Sequence, residues 1–223
     1  MSSVRESKML NSKLLKMKRL LLSILMMATF GFAFAQKDVA IDKILKTNEK
    51  YQTISCDFKQ TKTMAMVDKK IESEGVLYFN RADKLKMDYS NPAGNLLLIS
   101  GESLLMIQNG RKNDFNTKQN AQMRNLKNTL LLSIAGDVNA VAAENGATIE
   151  FAETADYYTF VLTRTDKSVK SRMSKLELSY SKTDCSLCVM KMEEPNGNFT
   201  VYDTPVKTFN PEIAAGTFDK PKK

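Results

Sequence analysis

The residues best suited to chemistry in this chain are the two thiols of the stretch Cys185-Ser-Leu-Cys188. A C-x-x-C pair performs thiol–disulfide exchange when the pKa of one thiol is lowered by a helix N-terminus or a neighbouring cation. Here the pair lies between two strand patterns, and no basic residue separates the cysteines. A structural interpretation is therefore favoured, either a small disulfide between Cys185 and Cys188 in a hairpin loop or two idle thiols. Cys56 alternates in phase with Phe58 and is expected to be a buried free thiol.

Histidine, the commonest general base and metal ligand in proteins, has a count of 0 in this chain. Its absence excludes His-based catalytic triads and, with them, most hydrolase and zinc-enzyme sites. The count of Trp is also 0, so an apolar site must be lined by Leu, Ile, Met, Phe and Tyr. We expect a protein that is not an enzyme and that uses no cofactor and no metal.

The net charge of +8 is concentrated at the N-terminus. Removing the six basic residues and the one acidic residue of positions 1–35 leaves residues 36–223 with a net charge of only +3. A charge this small is not the footprint of a nucleic-acid-binding protein, so we expect no nucleic-acid partner.

Residues 17–35, MKRLLLSILMMATFGFAFA, have the features of a secretory signal peptide. A basic pair precedes an apolar run, which ends in the A-x-A cleavage site Ala33-Phe34-Ala35. A transmembrane anchor is the alternative, but the polar continuation favours cleavage. Met17 is then the expected initiator and Gln36 the first mature residue. A bacterial lipoprotein would need Cys at that position, so the mature protein is expected to be soluble and periplasmic.

The remaining chain, 36–223, is interpreted as one domain, because no linker or repeat interrupts it. The periodicity predicts helices over 38–51 and 120–135 and a short helix over 138–143. Strand patterns separated by turn residues occupy 56–66, 75–79, 84–89, 95–99, 103–108, 112–117, 147–153, 157–163, 175–181, 188–193 and 199–206. Such a meander predicts a curved antiparallel sheet whose open side is covered by the helices, with room for a ligand cavity.

Three motifs add a family resemblance. Phe58-Lys59-Gln60 matches an F-x-Q strand, and Gly75, Leu77 and Arg81 match a G-x-L/F-x-x-x-R segment. The Phe-containing segment 217–221 resembles a terminal strand. Together with the stretch 72–105, these motifs resemble the outer-membrane lipoprotein carrier protein family, LolA. This chain departs from the family in having Ala82 where Pro is usual after the motif Arg.

The resemblance implies a mostly β fold, an incomplete antiparallel β-barrel with an α-helical lid over a hydrophobic cavity. It also implies a periplasmic carrier that takes acylated lipoproteins from an inner-membrane ABC-type transporter and delivers them to the outer membrane, with or without an acceptor there. We expect a monomer. One alternative is a periplasmic module on the same fold that senses lipids or lipoproteins; another is a redox enzyme using Cys185 and Cys188.

The resemblance gives Arg81 the role of a latch that hydrogen-bonds the lid in the closed state. The alternative is an Arg at a strand end with its guanidinium in solvent. The predicted lining of the acyl-chain cavity is Phe79, Leu85, Met87, Leu97, Ile99, Leu105 and Ile107. The predicted lid residues are Leu126, Leu130 and Leu131. The alternative for both groups is ordinary core packing, with the helix docked permanently on the sheet.

Overall fold

The computed structural model describes residues 36–165 and 173–221. The signal peptide predicted for residues 17–35 lies outside these ranges. The chain divides into two compact units, Met1–Ala40 and Ile41–Lys223. Only residues 36–40 of the first unit are described, and they are helical. In the part of the chain that the structure describes, no helix is long and apolar enough to cross a membrane.

The second unit contains a sheet of twelve strands, all paired antiparallel. The strands are β1 (Thr53–Met64), β2 (Lys69–Asn80), β3 (Lys84–Asn91), β4 (Leu96–Ser100), β5 (Ser103–Gln108), β6 (Arg111–Asn116), β7 (Ala147–Glu153), β8 (Tyr157–Arg164), β9 (Lys175–Ser181), β10 (Leu187–Glu193), β11 (Phe199–Asp203) and β12 (Lys207–Phe209). Their order is β6-β5-β4-β3-β2-β1-β11-β10-β9-β8-β7, and β12 pairs with the first part of β1. The sheet is open, with β6 and β7 at its two edges.

Two consecutive meanders, β1–β6 and β7–β11, make up this sheet. They are joined where the second half of β1 pairs with β11, from Lys59 opposite Asp203 to Thr63 opposite Phe199. Strand β1 pairs with β2 over its whole length, from Thr53 opposite Asn80 to Met64 opposite Lys69. Alternating burial along β2 and β3 gives the sheet two distinct faces.

Helix α1 occupies residues 36–48. Helices α2 (Ala121–Ala135) and α3 (Val138–Asn145) form the whole connection between the edge strands β6 and β7. The side chain of Asn120 caps α2 by accepting a hydrogen bond from the Met123 amide at 3.0 Å. Gly136 ends α2 with a φ of +80°, the left-handed conformation typical of a helix C-cap.

We call the face of the sheet that carries Met87 and Leu97 the inner face; it packs against α2, and the main core lies between them. The opposite, outer face carries an apolar cluster of Leu96, Leu98 and Leu105. Phe218, from the C-terminal segment, packs against this cluster. The Lys220 Nζ lies 2.6 Å from Asp114 Oδ2 and fastens the segment to β6. This hydrogen bond lowers the pKa of Asp114.

The predicted fold class is confirmed: a mostly antiparallel, open sheet with covering helices. The predicted helices correspond to α1, α2 and α3, and the bounds of β7 and β9 match those predicted. The strand predicted over 199–206 ends at Asp203, and β12 was missed. The chain leaves β11 at Thr204, whose hydroxyl bonds the Leu187 carbonyl at 2.9 Å, and it then pairs with β1 instead.

Candidate functional site

Two adjoining cavities lie between the inner face of the sheet and α2. The smaller one, the inner cavity, has a volume of about 30 Å³, roughly the space of one water molecule. Nearly all of its lining is apolar: Ile54, Cys56, Leu77, Leu85, Met87, Leu130, Ile134, Leu187, Met190, Tyr202, Thr204 and Lys207. An uncharged, flexible ligand segment is the chemistry that such a wall accepts.

The second, outer cavity is larger, about 350 Å³. Its apolar lining is Leu96, Leu97, Met106, Ile107, Met123, Leu126, Leu130, Met173 and Met192. Its polar lining includes Gln60, Lys62, Ser73, Tyr89, Asn125, Glu194, Thr200 and Tyr202. Leu130 and Tyr202 border both cavities, so the two are neighbours.

The chemistry of the wall changes along β1. Ile54 and Cys56 line the inner cavity, whereas Gln60 and Lys62, closer to the turn into β2, line the outer cavity. The site is therefore apolar at the inner end and amphipathic at the end near the β1–β2 turn. This polarity suits a ligand with an alkyl part and a polar part.

Helix α2 covers both cavities. Its N-terminal half contributes Met123 and Leu126 to the outer cavity, and Leu130 contributes to both. Its C-terminal end is fixed, because the buried Tyr180 hydroxyl donates to the Ser133 carbonyl at 2.8 Å. The two ends of the helix are thus held differently: the C-terminal end is anchored in the core, and the N-terminal end lies over the outer cavity.

Helix α3 is tied to α2 by side-chain amides. Asn125 Nδ2 donates to the Glu144 carbonyl at 2.9 Å, and Asn128 Nδ2 donates to Glu144 Oε2 at 3.0 Å. The buried Asn145 amide donates to the Thr129 hydroxyl at 3.0 Å. These bonds make α2 and α3 one covering unit.

Lys127 joins the covering unit to the turns of the sheet. Its Nζ donates to the Gly101 carbonyl at 3.2 Å and lies 3.6 Å from Asp83 Oδ2. Gly101 belongs to the β4–β5 turn and Asp83 to the β2–β3 turn. Lys127 was missed in the sequence, since an exposed-looking lysine on a helix gives no signal of a partner in two distant turns.

Arg81 bonds a different helix from the one predicted as the lid. Its guanidinium donates to the Asn48 carbonyl at 2.5 Å and to the Tyr51 carbonyl at 3.2 Å, at the C-terminal end of α1. Helix α2, which carries the predicted lid leucines, is linked to the sheet by Lys127 and Tyr180 instead. The physical reason is that the last carbonyls of a helix lack intrahelical donors, and a guanidinium fork supplies two.

The predicted cavity residues divide into two groups. Leu85 and Met87 line the inner cavity, and Leu97 lines the outer one. Ile107 also borders the outer cavity, but it shares the outer face of β5 with Leu105 and packs against the cluster there. Of the predicted lid residues, Leu126 lines the outer cavity and Leu130 lines both cavities.

The prediction is corrected at four residues, each buried but outside both linings: Phe79, Ile99, Leu105 and Leu131. Leu105 lies on the outer face, because it pairs with Leu98 in the cluster beneath Phe218. Its neighbour Met106 pairs with Leu97 and faces the outer cavity. Phe79 and Ile99 pair with Leu85 and are ordinary core packing.

Polar groups in the walls keep their neutral forms where burial is strong. Burial raises the pKa of the Cys56 thiol to about 11, against a smaller opposing effect of the Lys207 ammonium. Burial also raises the pKa of Tyr202 to about 12, and it raises that of Tyr89. The Tyr89 hydroxyl donates to Gln60 Oε1 at 2.6 Å. The Lys207 Nζ donates to the Thr204 carbonyl and lies 3.8 Å from Cys188 Sγ.

Cys56, Cys185 and Cys188 are buried free thiols. The disulfide alternative for Cys185 and Cys188 is therefore not the one in the structure. Cys185 lies between β9 and β10 with a φ of +58°, and its carbonyl accepts a hydrogen bond from the side-chain amide of Asn48, the last residue of α1, at 2.6 Å. Within residues 36–165 and 173–221, no group of three or more Cys, Asp or Glu side chains is arranged to hold a metal ion.

The model of the family described as outer membrane lipoprotein carrier protein LolA matches residues 49–220. The chain belongs to the LolA family. The match spans all twelve strands and both covering helices of the site, α2 and α3. The predicted family membership is thus confirmed. No curated protein matches the chain significantly.

Several solved structures are similar to this LolA-family chain. An uncharacterized conserved protein from Thermus thermophilus has a TM-score of 0.48 and 8% identity, covering 82% of this chain and 93% of that one. A LolA superfamily protein from Nitrosomonas europaea has a TM-score of 0.41 and 13% identity, covering 80% and 97%. The lipoprotein LppX of Mycobacterium tuberculosis has a TM-score of 0.45 and 8% identity, covering 81% and 98%.

Proposed function

We propose that this LolA-family protein is a periplasmic carrier that binds the acyl chains of lipoproteins released from the inner membrane and delivers them to the outer membrane. The observation that carries the proposal is the pair of cavities beneath α2, with an apolar inner end and an amphipathic outer end. Acyl chains offer no hydrogen bonds and bend freely, so they need apolar area and plasticity rather than positioned polar groups. Met87, Met106 and Met190 supply flexible apolar wall.

The size of the cavities supports a closed state of the protein. A volume of about 350 Å³ is near the lower end of ligand pockets, and the inner cavity holds little more than one water. Three acyl chains of about sixteen carbons would gain about 40 kcal/mol if fully buried. Non-covalent binding rarely exceeds about 20 kcal/mol, so part of that energy is spent on moving α2 or is never gained. Either outcome leaves the cargo releasable.

The proposed partners follow from this role. The carrier receives acylated lipoproteins from an inner-membrane ABC-type transporter and passes them to the outer membrane or to an acceptor in it. It acts as a monomer and performs no catalytic step. The buried, neutral Cys56 beside the cavity supports this, since a buried thiol of raised pKa is a poor nucleophile.

The test is capture of cargo from cells. The wild-type protein, purified from periplasmic extract, should carry lipoproteins whose N-terminal peptides have the mass of acyl chains. Leu126→Glu places a charge in the outer cavity and should reduce the carried amount at least about tenfold, because the charge would be desolvated against alkyl chains. Val206→Glu adds the same charge at a side chain that is 77% exposed and should change nothing. Cargo-free wild type, or equal loading of Leu126→Glu, would contradict the proposal.

A further inference from the structure

The turn between β1 and β2 exposes large apolar side chains. This turn, Ala65–Val67 followed by Asp68, is here called the β1–β2 tip. Met66 is 88% exposed and Val67 is 64% exposed, and Ile71 on the adjoining part of β2 is 41% exposed. Adjacent exposed apolar residues at the end of a hairpin contribute nothing to the core and mark a surface that meets an apolar partner.

The exposure at the tip comes from a fixed backbone rather than from fraying. Pairing of β1 with β2 continues to the last pair, Met64 opposite Lys69. The Ala65 amide donates to Asn198 Oδ1, in the β10–β11 turn, at 3.0 Å. Asp68 adopts a left-handed φ of +45° and closes the turn. The backbone therefore holds Met66 and Val67 outward.

Two lysines follow the apolar pair directly. Lys69 and Lys70 are both exposed, and Asp68 and Glu72 are the acidic residues beside them. The two lysines balance the two acids, so residues 68–72 carry no net charge, and the match to a membrane rests on layering: an apolar pair at the end of the hairpin for the acyl boundary and lysines just behind it for the phosphate head groups. A polar protein surface would leave Met66 and Val67 without apolar partners.

The tip lies at the amphipathic end of the site. Lys62 and Ser73 line the outer cavity, and their strands continue into the tip; Lys62 pairs with Ile71. A membrane that receives the tip is therefore next to the end of the site where a polar cargo head and its alkyl chains would enter or leave.

We propose that the β1–β2 tip docks on an anionic lipid bilayer, with Met66 and Val67 in the acyl boundary and Lys69 and Lys70 at the head groups. Docking brings the outer cavity to the membrane surface. The use of this contact in acyl-chain transfer rests on the proposed carrier function, whereas the contact itself does not.

The absence of Trp from the chain permits a clean optical test. Met66→Trp and Val206→Trp each give a protein with one Trp at a position that is exposed in the parent, 88% and 77% respectively. Both are mixed with vesicles of phosphatidylethanolamine and phosphatidylglycerol, with and without brominated acyl chains. The emission of Met66→Trp should shift to shorter wavelength and be quenched by bromine, and that of Val206→Trp should not. An unshifted Met66→Trp emission would overturn the proposal.

Vesicle flotation tests the native side chains. Met66→Asp should lower the bound fraction at least about tenfold relative to wild type, and Val206→Asp should not. Lys69→Gln with Lys70→Gln should weaken binding to phosphatidylglycerol vesicles, while Lys46→Gln with Lys50→Gln should leave it unchanged.

Equal binding of wild type and Met66→Asp, or binding only to vesicles that contain a membrane protein, would overturn membrane docking. Binding of a hydrophobic dye by wild type and Met66→Asp is measured in parallel. If the wild-type protein does not bind the dye, that result counts against the carrier proposal and leaves the vesicle result intact.

Discussion

At the scale of single residues, Arg81 is a connection whose removal is measurable. Its guanidinium bonds the Asn48 and Tyr51 carbonyls, and hydrogen bonds from a charged donor contribute about 1.5–3 kcal/mol. Arg81→Leu should therefore lower the free energy of unfolding by about 2–3 kcal/mol in urea titrations and speed amide exchange near the end of α1. Arg81→Lys keeps the charge and loses the guanidinium fork, so its free energy of unfolding should lie between those of the wild type and Arg81→Leu. An unchanged midpoint would assign Arg81 to solvent.

Cys56 gives a prediction that depends on pH. With a pKa of about 11, roughly one molecule in a thousand has the thiolate at pH 8, against about a quarter for an ordinary thiol of pKa 8.5. Alkylation of Cys56 by iodoacetamide should be at least about 100-fold slower in the folded protein than in urea. Because the pKa is raised, the rate should keep climbing with pH up to about pH 11 instead of levelling near 8.5. Peptide mapping by mass spectrometry separates Cys56 from the other thiols.

Whether an apolar residue lines the cavity could be predicted only in part. Leu85 and Leu97 were found because apolar residues alternate along β3 and recur in β4. Leu105 was assigned to the wrong face, because both faces of β5 are covered and Leu104, Leu105 and Met106 are all apolar. Alternation cannot choose a face when an unrelated segment, here the one carrying Phe218, buries the other.

At the scale of elements, the end of α2 is sensitive to a single methyl group. A Cβ on Gly136 would lie 2.8 Å from Asn48 Nδ2 and 2.9 Å from Ile44 Cγ2, and its φ is +80°. A Cβ on Gly146, the C-cap of α3, would meet nothing within 4 Å at a φ of +54°. Gly146→Ala should lower the free energy of unfolding by about 1–2 kcal/mol, the energy needed to hold an alanine in the left-handed conformation. Gly136→Ala should cost at least about 1 kcal/mol more in urea unfolding; equal losses would contradict the close packing of α1 on α2.

The hold on the cavity-facing end of α2 depends on Lys127. Its partners are an exposed carboxylate and one carbonyl, so Lys127→Met should change the free energy of unfolding by no more than about 1 kcal/mol. Hydrophobic dye should nevertheless enter faster in stopped-flow mixing, because the link from α2 to the turns is gone. Lys118→Met, which removes an exposed pair with Glu102 before α2, is the control and should enter at the wild-type rate. Identical rates of dye entry for the wild type, Lys127→Met and Lys118→Met would show that Lys127 does not hold α2 over the cavities.

Element boundaries were predictable where local signals agree with the tertiary structure. Asn120, the apolar spacing of Met123 and Leu130, and Gly136 together mark the beginning, face and end of α2. Strand β12 has three residues and depends on pairing with β1, a partner about 150 residues earlier in the chain. No local pattern contains that information, so the strand was missed.

At the scale of the whole molecule, the sheet is covered on both faces, and the two coverings should respond differently to charge. Leu105→Glu buries an unpaired carboxylate beneath Phe218 and should lower the free energy of unfolding by several kcal/mol, with dye affinity little changed in the molecules that remain folded. Leu97→Glu, at a half-buried position in the outer cavity, should weaken dye binding with a smaller loss of stability. The reverse pattern would place the ligand on the outer face.

The open edges of the sheet allow its circumference to vary. A closed β-barrel has a fixed circumference, because every strand is hydrogen-bonded to a neighbour on both sides and widening the barrel would break the hydrogen bonds between two strands. Here β6 and β7 are not paired with each other, and the chain runs from one to the other through α2 and α3. Moving β6 and β7 apart therefore changes side-chain packing but breaks no main-chain hydrogen bonds between strands. If the protein is the carrier proposed above, a ligand larger than the resting cavities can be accommodated by a wider gap between β6 and β7, with α2 and α3 still spanning it.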